Sequence, residues 1–362
     1  MSHSTGLAGL AEPDMKVVIS TFDIALLVAV GGLCAACGSD GPIEDPTAVR
    51  AYGFGPFEVA PGEEVDGDCV QISLNNDDYL FINAVELTTG PGFHHSNWLF
   101  VPEHVFAGDD GTYTCKDRNY NEATAGILGG VLFAQSTQAP HEIQAFPAGA
   151  VIRIPPRSKI VAQIHLLNPT DQPLTITPDI KLTPILESDV TKVLAGISFQ
   201  NQALALPANM SSRFTVECDL RERHNVIFGR DPDFKIYYAL AHYHDLATRL
   251  TLEAVTPDGD ATTIYSTENN VGDVLGGPLD PLFDMTGYTR LRMSCDYTNP
   301  RAEVVRWGVG NQEMCVFLAF SDSPYVWGGG VNQEGEPQNP LLVGTTMTYT
   351  NPCVVIAGDA SH

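Results

Sequence analysis

Ten histidines are spread over 362 residues, and imidazole is the side chain most often used to hold a transition metal or to move a proton near neutral pH. His3 and His362 are terminal, and His104, His141 and His224 sit in turn-like or polar contexts that read as surface or structural positions. The remaining five are His94 and His95 in Gly92-Phe93-His94-His95, His165 in Gln163-Ile164-His165, and His242 and His244 in Ala241-His242-Tyr243-His244.

The His-x-His lies in the apolar, aromatic run Ile236 to Leu246, which reads as a strand. Residues i and i+2 of a strand project from one face, about 7 Å apart at their origins, so two imidazoles there can converge on one ion. Adjacent His94 and His95 would start on opposite faces, and they can meet only if the chain bends. Gly90-Pro91-Gly92 just before them supplies that bend. His165, inside the apolar run Ile160 to Leu167, is either a buried imidazole hydrogen-bonded to backbone or a third ligand for the His94-His95 pair.

His242 and His244 need at least a third ligand. Asp245 would point away from His244 along a strand, which argues against a two-histidine, one-carboxylate iron site. The thioether of Met314, in Asn311-Gln312-Glu313-Met314-Cys315-Val316, is the other candidate, against the usual role of Met in core packing.

The elements that must carry these residues are strands. Beyond Pro46 the chain is a succession of short β-branched and aromatic runs, among them Val70 to Leu74, Tyr79 to Leu87, Lys235 to Tyr243, Thr289 to Cys295 and Met314 to Phe320. Asn168-Pro169, Thr256-Pro257-Asp258-Gly259 and Asn299-Pro300 punctuate them as turns, and no long helical period occurs. The expected fold is all-β: two tandem antiparallel β-sandwich, jelly-roll-like domains over 51–195 and 196–362, with the seam near Val193 to Asn209.

With 44 Asp plus Glu against 19 Lys plus Arg, the net charge is −25. That excludes nucleic acid and leaves an anionic membrane surface a poor partner, since both need a basic face. The apolar run Ile24 to Leu33 after Met15-Lys16, followed by Ala35-Ala36-Cys37, resembles an export signal with Cys37 as a lipidation candidate. The expected division is an upstream stretch and signal over 1–37, with translation starting at Met1 or Met15, and a linker over 38–50. Membrane contact would come only through that N-terminal lipid anchor. The protein is expected to be exported, as a periplasmic, outer-membrane or cell-surface lipoprotein of a bacterium. Six cysteines then remain, Cys69, Cys115, Cys218, Cys295, Cys315 and Cys353, an even number suited to three disulfides in an oxidising compartment.

Taken in order, Gly-x-His-His at 92–95, Gln-Ile-His at 163–165, His-x-His at 242–244, and Trp307-Gly308 through Glu313-Met314-Cys315 resemble the copper type II, ascorbate-dependent monooxygenases, which include peptidylglycine α-hydroxylating monooxygenase and dopamine β-monooxygenase. The resemblance runs over roughly residues 50 to 355. It implies two coppers per chain, one in each sandwich, facing an interdomain cleft. His94, His95 and His165 would hold the first, which takes electrons from ascorbate. His242, His244 and Met314 would hold the second, which meets O2 and abstracts hydrogen from a substrate C–H. Neutral imidazoles suit both copper oxidation states and a thioether favours Cu(I), whereas zinc rarely takes one.

The resemblance also implies the disulfide pairs Cys69–Cys115 and Cys295–Cys315, leaving Cys218–Cys353. The peptide-amidating branch has an Arg where this chain has Leu240, and Asn and Tyr where it has Val316 and Leu318. A pocket of Leu240, Val316 and Leu318, with Phe320 nearby, would therefore accept a neutral or hydrophobic small molecule. The expected activity is copper-dependent hydroxylation of such a substrate with O2 and ascorbate or another one-electron donor. The alternatives are a non-catalytic copper-binding or storage surface protein, and a carbohydrate or adhesion sandwich.

Overall fold

The computed structural model describes residues 45–332 and 336–359; the signal over 1–37, Cys37 and most of the linker over 38–50 lie outside them. The architecture is all-β. Among the described residues the only α-helices are the short Glu122–Leu128 and Arg221–Phe228, and no helix is long and apolar enough to cross a membrane.

The strands pair in two sets. In the first, Arg50–Gly53, Asp179–Pro184, Leu80–Thr88, Ala150–Ile154 and Lys192–Val193 form one sheet, with His141–Ala145 also paired to Leu80–Thr88. Facing it is a five-stranded sheet ordered Gly111–Thr114, Glu64–Ser73, Ser158–Leu167, Phe93–Pro102 and Gly130–Ala134. In the second set, Gly276–Asp284, Lys235–His242, Val316–Ser321, Ala195–Asn201, Tyr325–Val331 and Val354–Asp359 make one sheet. Its companion is Ala261–Thr267, Ala247–Val255, Arg290–Asn299, Met210–Asp219, Thr346–Pro352 and Leu341–Val343. The chain passes from the first set to the second at Leu194, between Val193, which pairs with Val151, and Ala195, which pairs with Ser321.

Among the described residues the ladders are antiparallel, as expected, with three parallel exceptions. Lys192–Val193 runs parallel to Ala150–Ile154, Ala195–Asn201 parallel to Tyr325–Val331, and Met210–Asp219 parallel to Thr346–Pro352. A strand that returns by a long connection, as these partners do, is free to enter in either sense, whereas a tight hairpin forces antiparallel pairing.

The alternating runs bury one face each. Arg290–Asn299 places Leu291, Met293, Cys295 and Tyr297 inside at 1% exposure or less, and Met210–Asp219 does the same with Phe214, Val216 and Cys218. Full burial of such side chains contributes roughly 1.5–3 kcal/mol each. The two sandwiches also share one continuous core: Phe146 of the first packs edge-on against Phe320 of the second, ring centroids 5.1 Å apart. Three disulfides, Cys69–Cys115, Cys218–Cys353 and Cys295–Cys315, staple the sheets and their loops.

Candidate metal centre

His94 and His95 enter through Phe93–Pro102, and a bulge lets both contribute to one side. Opposite this strand, His165 faces His95 but the next residue, Leu166, faces Phe93, so His94 is the extra residue. Such an insertion turns one side chain out of the alternation. Gly92 precedes it at φ +88°, where a Cβ would stand 2.8 Å from Leu174 Cδ1, so this position accepts glycine and little else. On its other edge His165 faces Asp66 while Ile164 faces Asp68, leaving Gly67 unpaired at φ +110°. Both ladders are thus disturbed at His165.

His242 ends Lys235–His242, opposite Val316, and His244 follows just beyond the ladder. The buried carboxylate of Glu313 holds this exit: Oε2 accepts the His244 N–H at 3.1 Å and Oε1 the Leu246 N–H at 2.7 Å. Burial pushes the Glu313 carboxyl up to about 7, against the lowering effect of those bonds. Met314 is half-buried between Glu313 and the disulfide-bonded Cys315, and its carbonyl accepts the Tyr297 hydroxyl at 2.6 Å.

The five imidazoles meet at the seam of the two sandwiches. Ring centroids are 4.7 Å apart for His94 and His165 and 5.1 Å for His95 and His165 within the first sandwich, and 5.6 Å for His242 and His244 within the second. Across the seam, His95 and His242 are 4.6 Å apart and His94 and His244 5.2 Å. The donor atoms of His94, His95 and His165 lie within 4.8 Å of one another, and so do those of His95, His242 and His244. The two expected sets, His94, His95 and His165 from the first sandwich and His242 and His244 from the second, thus lie side by side at the seam, with His95 within reach of both.

Four of the rings are buried: His94, His165, His242 and His244 are 2–6% exposed. Each has a partner that orients it. His244 Nδ1 donates to the Gln312 carbonyl at 2.9 Å. His242 Nδ1 lies 3.2 Å from Thr137 Oγ1 and is also within reach of the Gln135 main chain. Gln138 Nε2 lies 3.1 Å from His94 Nδ1. His165 Nε2 meets Glu64 Oε1 at 2.9 Å, and its Nδ1 faces His95 Nε2 at 3.2 Å.

The Nε2 atoms of His94, His242 and His244 are buried without a hydrogen-bond partner. Three orphaned nitrogens aimed into one cluster are costly unless something takes their lone pairs, and a neutral imidazole fixed by its other nitrogen is the arrangement that suits a metal ligand. For His94 this requires the Gln138 amide to present its oxygen to Nδ1, a half-turn that exchanges its two ends. Burial, reinforced by the neighbouring imidazoles, depresses these rings: His94 to about 2, His242, chiefly by burial, to about 3, and His95 and His244 also below the ordinary value of 6.5. They are neutral at pH 7, as ligation requires. The donor set thus fits a borderline or soft transition ion.

The pocket that His94 and His244 line, with Thr137, Gln138 and Gln312, is only about 50 Å³. A larger cleft of about 730 Å³ is lined by both sandwiches and by none of the five histidines. Asn97 and Gln163, paired across the sheet two residues from His95 and His165, line it from the first sandwich, and Ser198, Gln200 and Leu318 line it from the second. Of the three expected pocket residues, Leu318 lines it. Leu240 and Val316 do not: Leu240 is 2% exposed beneath Gly276 and Val316 is half-buried beside His242. Leu240 faces Leu318 across one ladder and Gly276 across the other, so the same sheet face carries both leucines.

The residues that orient the rings, Glu64, Thr137, Gln138 and Glu313, were not singled out by spacing. Glu313 at least lies inside the stretch carrying Met314; Thr137 is 105 positions from its partner His242 and has no local signature. His224 is buried rather than on the surface, its Nδ1 2.8 Å from the Arg230 carbonyl and its ring stacked on Trp327. His141 is exposed beside Glu86.

No protein-family model matches the chain, and no curated protein matches it. Among solved structures, the chain is similar to the major capsid protein P2 of bacteriophage PM2, with 6% identity over 76% of this chain and 97% of that one at a TM-score of 0.29. It is also similar to the PBSX exported protein XepA, with 10% identity over 77% and 88% at a TM-score of 0.20. A third likeness is to PNGF-II, with 8% identity over 76% and 59% at a TM-score of 0.26. Scores this low carry no argument about the site.

Proposed function

We propose that this protein is an exported, copper-dependent monooxygenase that hydroxylates a C–H bond of a small, neutral or hydrophobic organic molecule, using O2 and ascorbate or another one-electron donor. The observation that carries the reading is the convergence of five neutral imidazoles from both sandwiches, with the Nε2 atoms of His94, His242 and His244 unpartnered. His94, His95, His165, His242 and His244 would hold copper. Met314 is the sixth ligand in this reading: it stands two residues before Val316, the partner of His242, and next to Glu313, which accepts the His244 N–H. Bound copper would supply one-electron redox chemistry for activating dioxygen.

The chain's own residues do the rest. Glu64 orients His165, Gln312 and Glu313 orient His244, and the larger cleft lined by both sandwiches would receive substrate against Leu318 and the amides of Asn97 and Gln163. Few neutralising cations are available in so acidic a chain, which disfavours an anionic substrate. Three disulfides suit an oxidising compartment outside the cytosol.

The test is ascorbate-driven oxygen uptake by copper-loaded protein over a panel of neutral substrates, alongside the His244→Ala variant. Uptake and hydroxylated product above the free-copper background, lost in the variant, are expected. Uptake at background throughout would sink the enzyme reading in favour of copper binding or storage. Cu(I) X-ray absorption tests Met314 separately: a sulfur scatterer should be present and should vanish in Met314→Ala.

A further inference from the structure

Two separations across the seam, 4.6 Å for His95 and His242 and 5.2 Å for His94 and His244, are no longer than the 5.6 Å between His242 and His244 within the second sandwich. His95 and His244 are 6.4 Å apart, and His95 belongs to both donor groups. A neutral imidazole has one lone pair to give. Filling one group therefore withdraws His95 from the other, so the two groups are not independent sites.

One turn holds the arrangement shut. Gln135 to Ala139 belongs to the first sandwich, between Gly130–Ala134 and His141–Ala145. Gln138 N–H donates to the His94 carbonyl at 2.6 Å while its side chain meets His94 Nδ1. Its neighbour Thr137 reaches the second sandwich: Oγ1 lies 3.2 Å from His242 Nδ1 and donates to the Tyr243 carbonyl at 3.0 Å, and its own carbonyl accepts the Gly272 N–H at 2.9 Å. Ser136 Oγ accepts the Leu275 N–H at 2.8 Å. The turn is itself fixed from beneath, where the buried Glu142 accepts the Ser136 N–H at 2.7 Å and Gln135 Nε2 donates to the Ala139 carbonyl at 2.9 Å. Consecutive residues of one rigid turn thus orient a histidine of each set.

We infer that the five histidines form one dinuclear centre built across the seam, with His95 as the ligand the two positions contest, and that Thr137 and Gln138 are the positioning residues that hold the two halves close enough for the metal ions to interact. The choice of copper rests on the reading proposed above; the closed geometry stands apart from it. His94 and His165 then serve one ion, His242 and His244 the other.

The experiment is copper stoichiometry with electron paramagnetic resonance of the Cu(II)-loaded full chain. Two coppers per chain are expected, with a spin count well below the copper count or a half-field transition, which only nearby spins give. Thr137→Val should keep both coppers and lose that signature, and Thr137→Ser, which retains the hydroxyl, should restore it. His95→Ala should weaken binding of both ions, whereas His165→Ala should weaken one, with circular dichroism and thermal melting confirming the fold of each variant. Two full, magnetically isolated spins in the unaltered protein, or a single copper per chain, would overturn the inference. Isolated coppers with substrate turnover would leave the proposed activity standing while this inference falls; coupled coppers without turnover would do the reverse.

Discussion

In the first sandwich two adjacent histidines reach one point because a bulge sets His94 outside the strand alternation, whereas in the second His242 and His244 reach it from alternate positions of a chain leaving its strand. The first half-site rests on backbone irregularity, with glycines at 67 and 92 in the left-handed region and a partly exposed carboxylate, Glu64, on His165. The second rests on a regular strand end pinned by the buried Glu313. Equivalent chemistry can thus be positioned by a glycine-accommodated bulge at one place and by buried hydrogen bonds at the other, and the two should fail differently when perturbed.

The largest difference is expected between the two carboxylates. Glu313→Ala leaves two buried N–H groups without acceptors and should cost about 3 kcal/mol in urea unfolding. Glu313→Gln, whose amide can accept one of them, should fall between. If Glu313→Ala destabilises by less than about 1 kcal/mol, the second half-site is not held as described.

Acid should weaken both halves together. His94 and His242 have folded-state pKa values of about 2 and about 3, below the ordinary 6.5. The unfolded chain therefore takes up protons first as pH falls through 6.5, so the stability these rings contribute is complete above that value and declines below it. The slope is at most about 1.4 kcal/mol per pH unit for each ring. Between pH 7 and pH 5 the two rings together lose about 4 kcal/mol, while Glu313, whose carboxyl stands at about 7 in the folded chain, takes up a proton and offsets about 2 kcal/mol of it. Urea unfolding of the metal-free protein should therefore show a net loss of about 2 kcal/mol, and no loss would mean the rings are hydrated.

Gly92→Ala sharpens the contrast on the other side. Its φ of +88° and the close Leu174 side chain predict a loss of about 1–2 kcal/mol in thermal or urea unfolding, with metal lost from the His94–His95–His165 set before the His242–His244 pair. Equal loss from both sets would deny the bulge its local role. The smallest stability effect belongs to Glu64→Ala, under about 1 kcal/mol because Glu64 is on the surface, although copper affinity measured by competitive chelation should fall roughly 10- to 100-fold through loss of the group that orients His165.

Much of the fold was legible because strands with one buried face alternate, as Arg290–Asn299 and Met210–Asp219 do. Gly276–Asp284 and Tyr325–Val331 were not, since Gly-Gly-Pro and Gly-Gly-Gly within them carry the signature of turns; both are strands because neighbours on a ladder supply the pairing their side chains do not. The bend at Gly90-Pro91-Gly92 was readable from residue types, and the bulge beside it is its realised form.

Sequence by itself determined the all-β class, the five histidines and the alternation that sends His242 and His244 the same way, because those depend on residue type and short-range geometry. Only the tertiary structure decided that both sets share one cluster, that Leu318 rather than Leu240 faces the cleft, and that Thr137 and Gln138 tie the halves together. These depend on how two sandwiches close on each other, and contacts made over more than a hundred positions leave no periodicity in the chain to read.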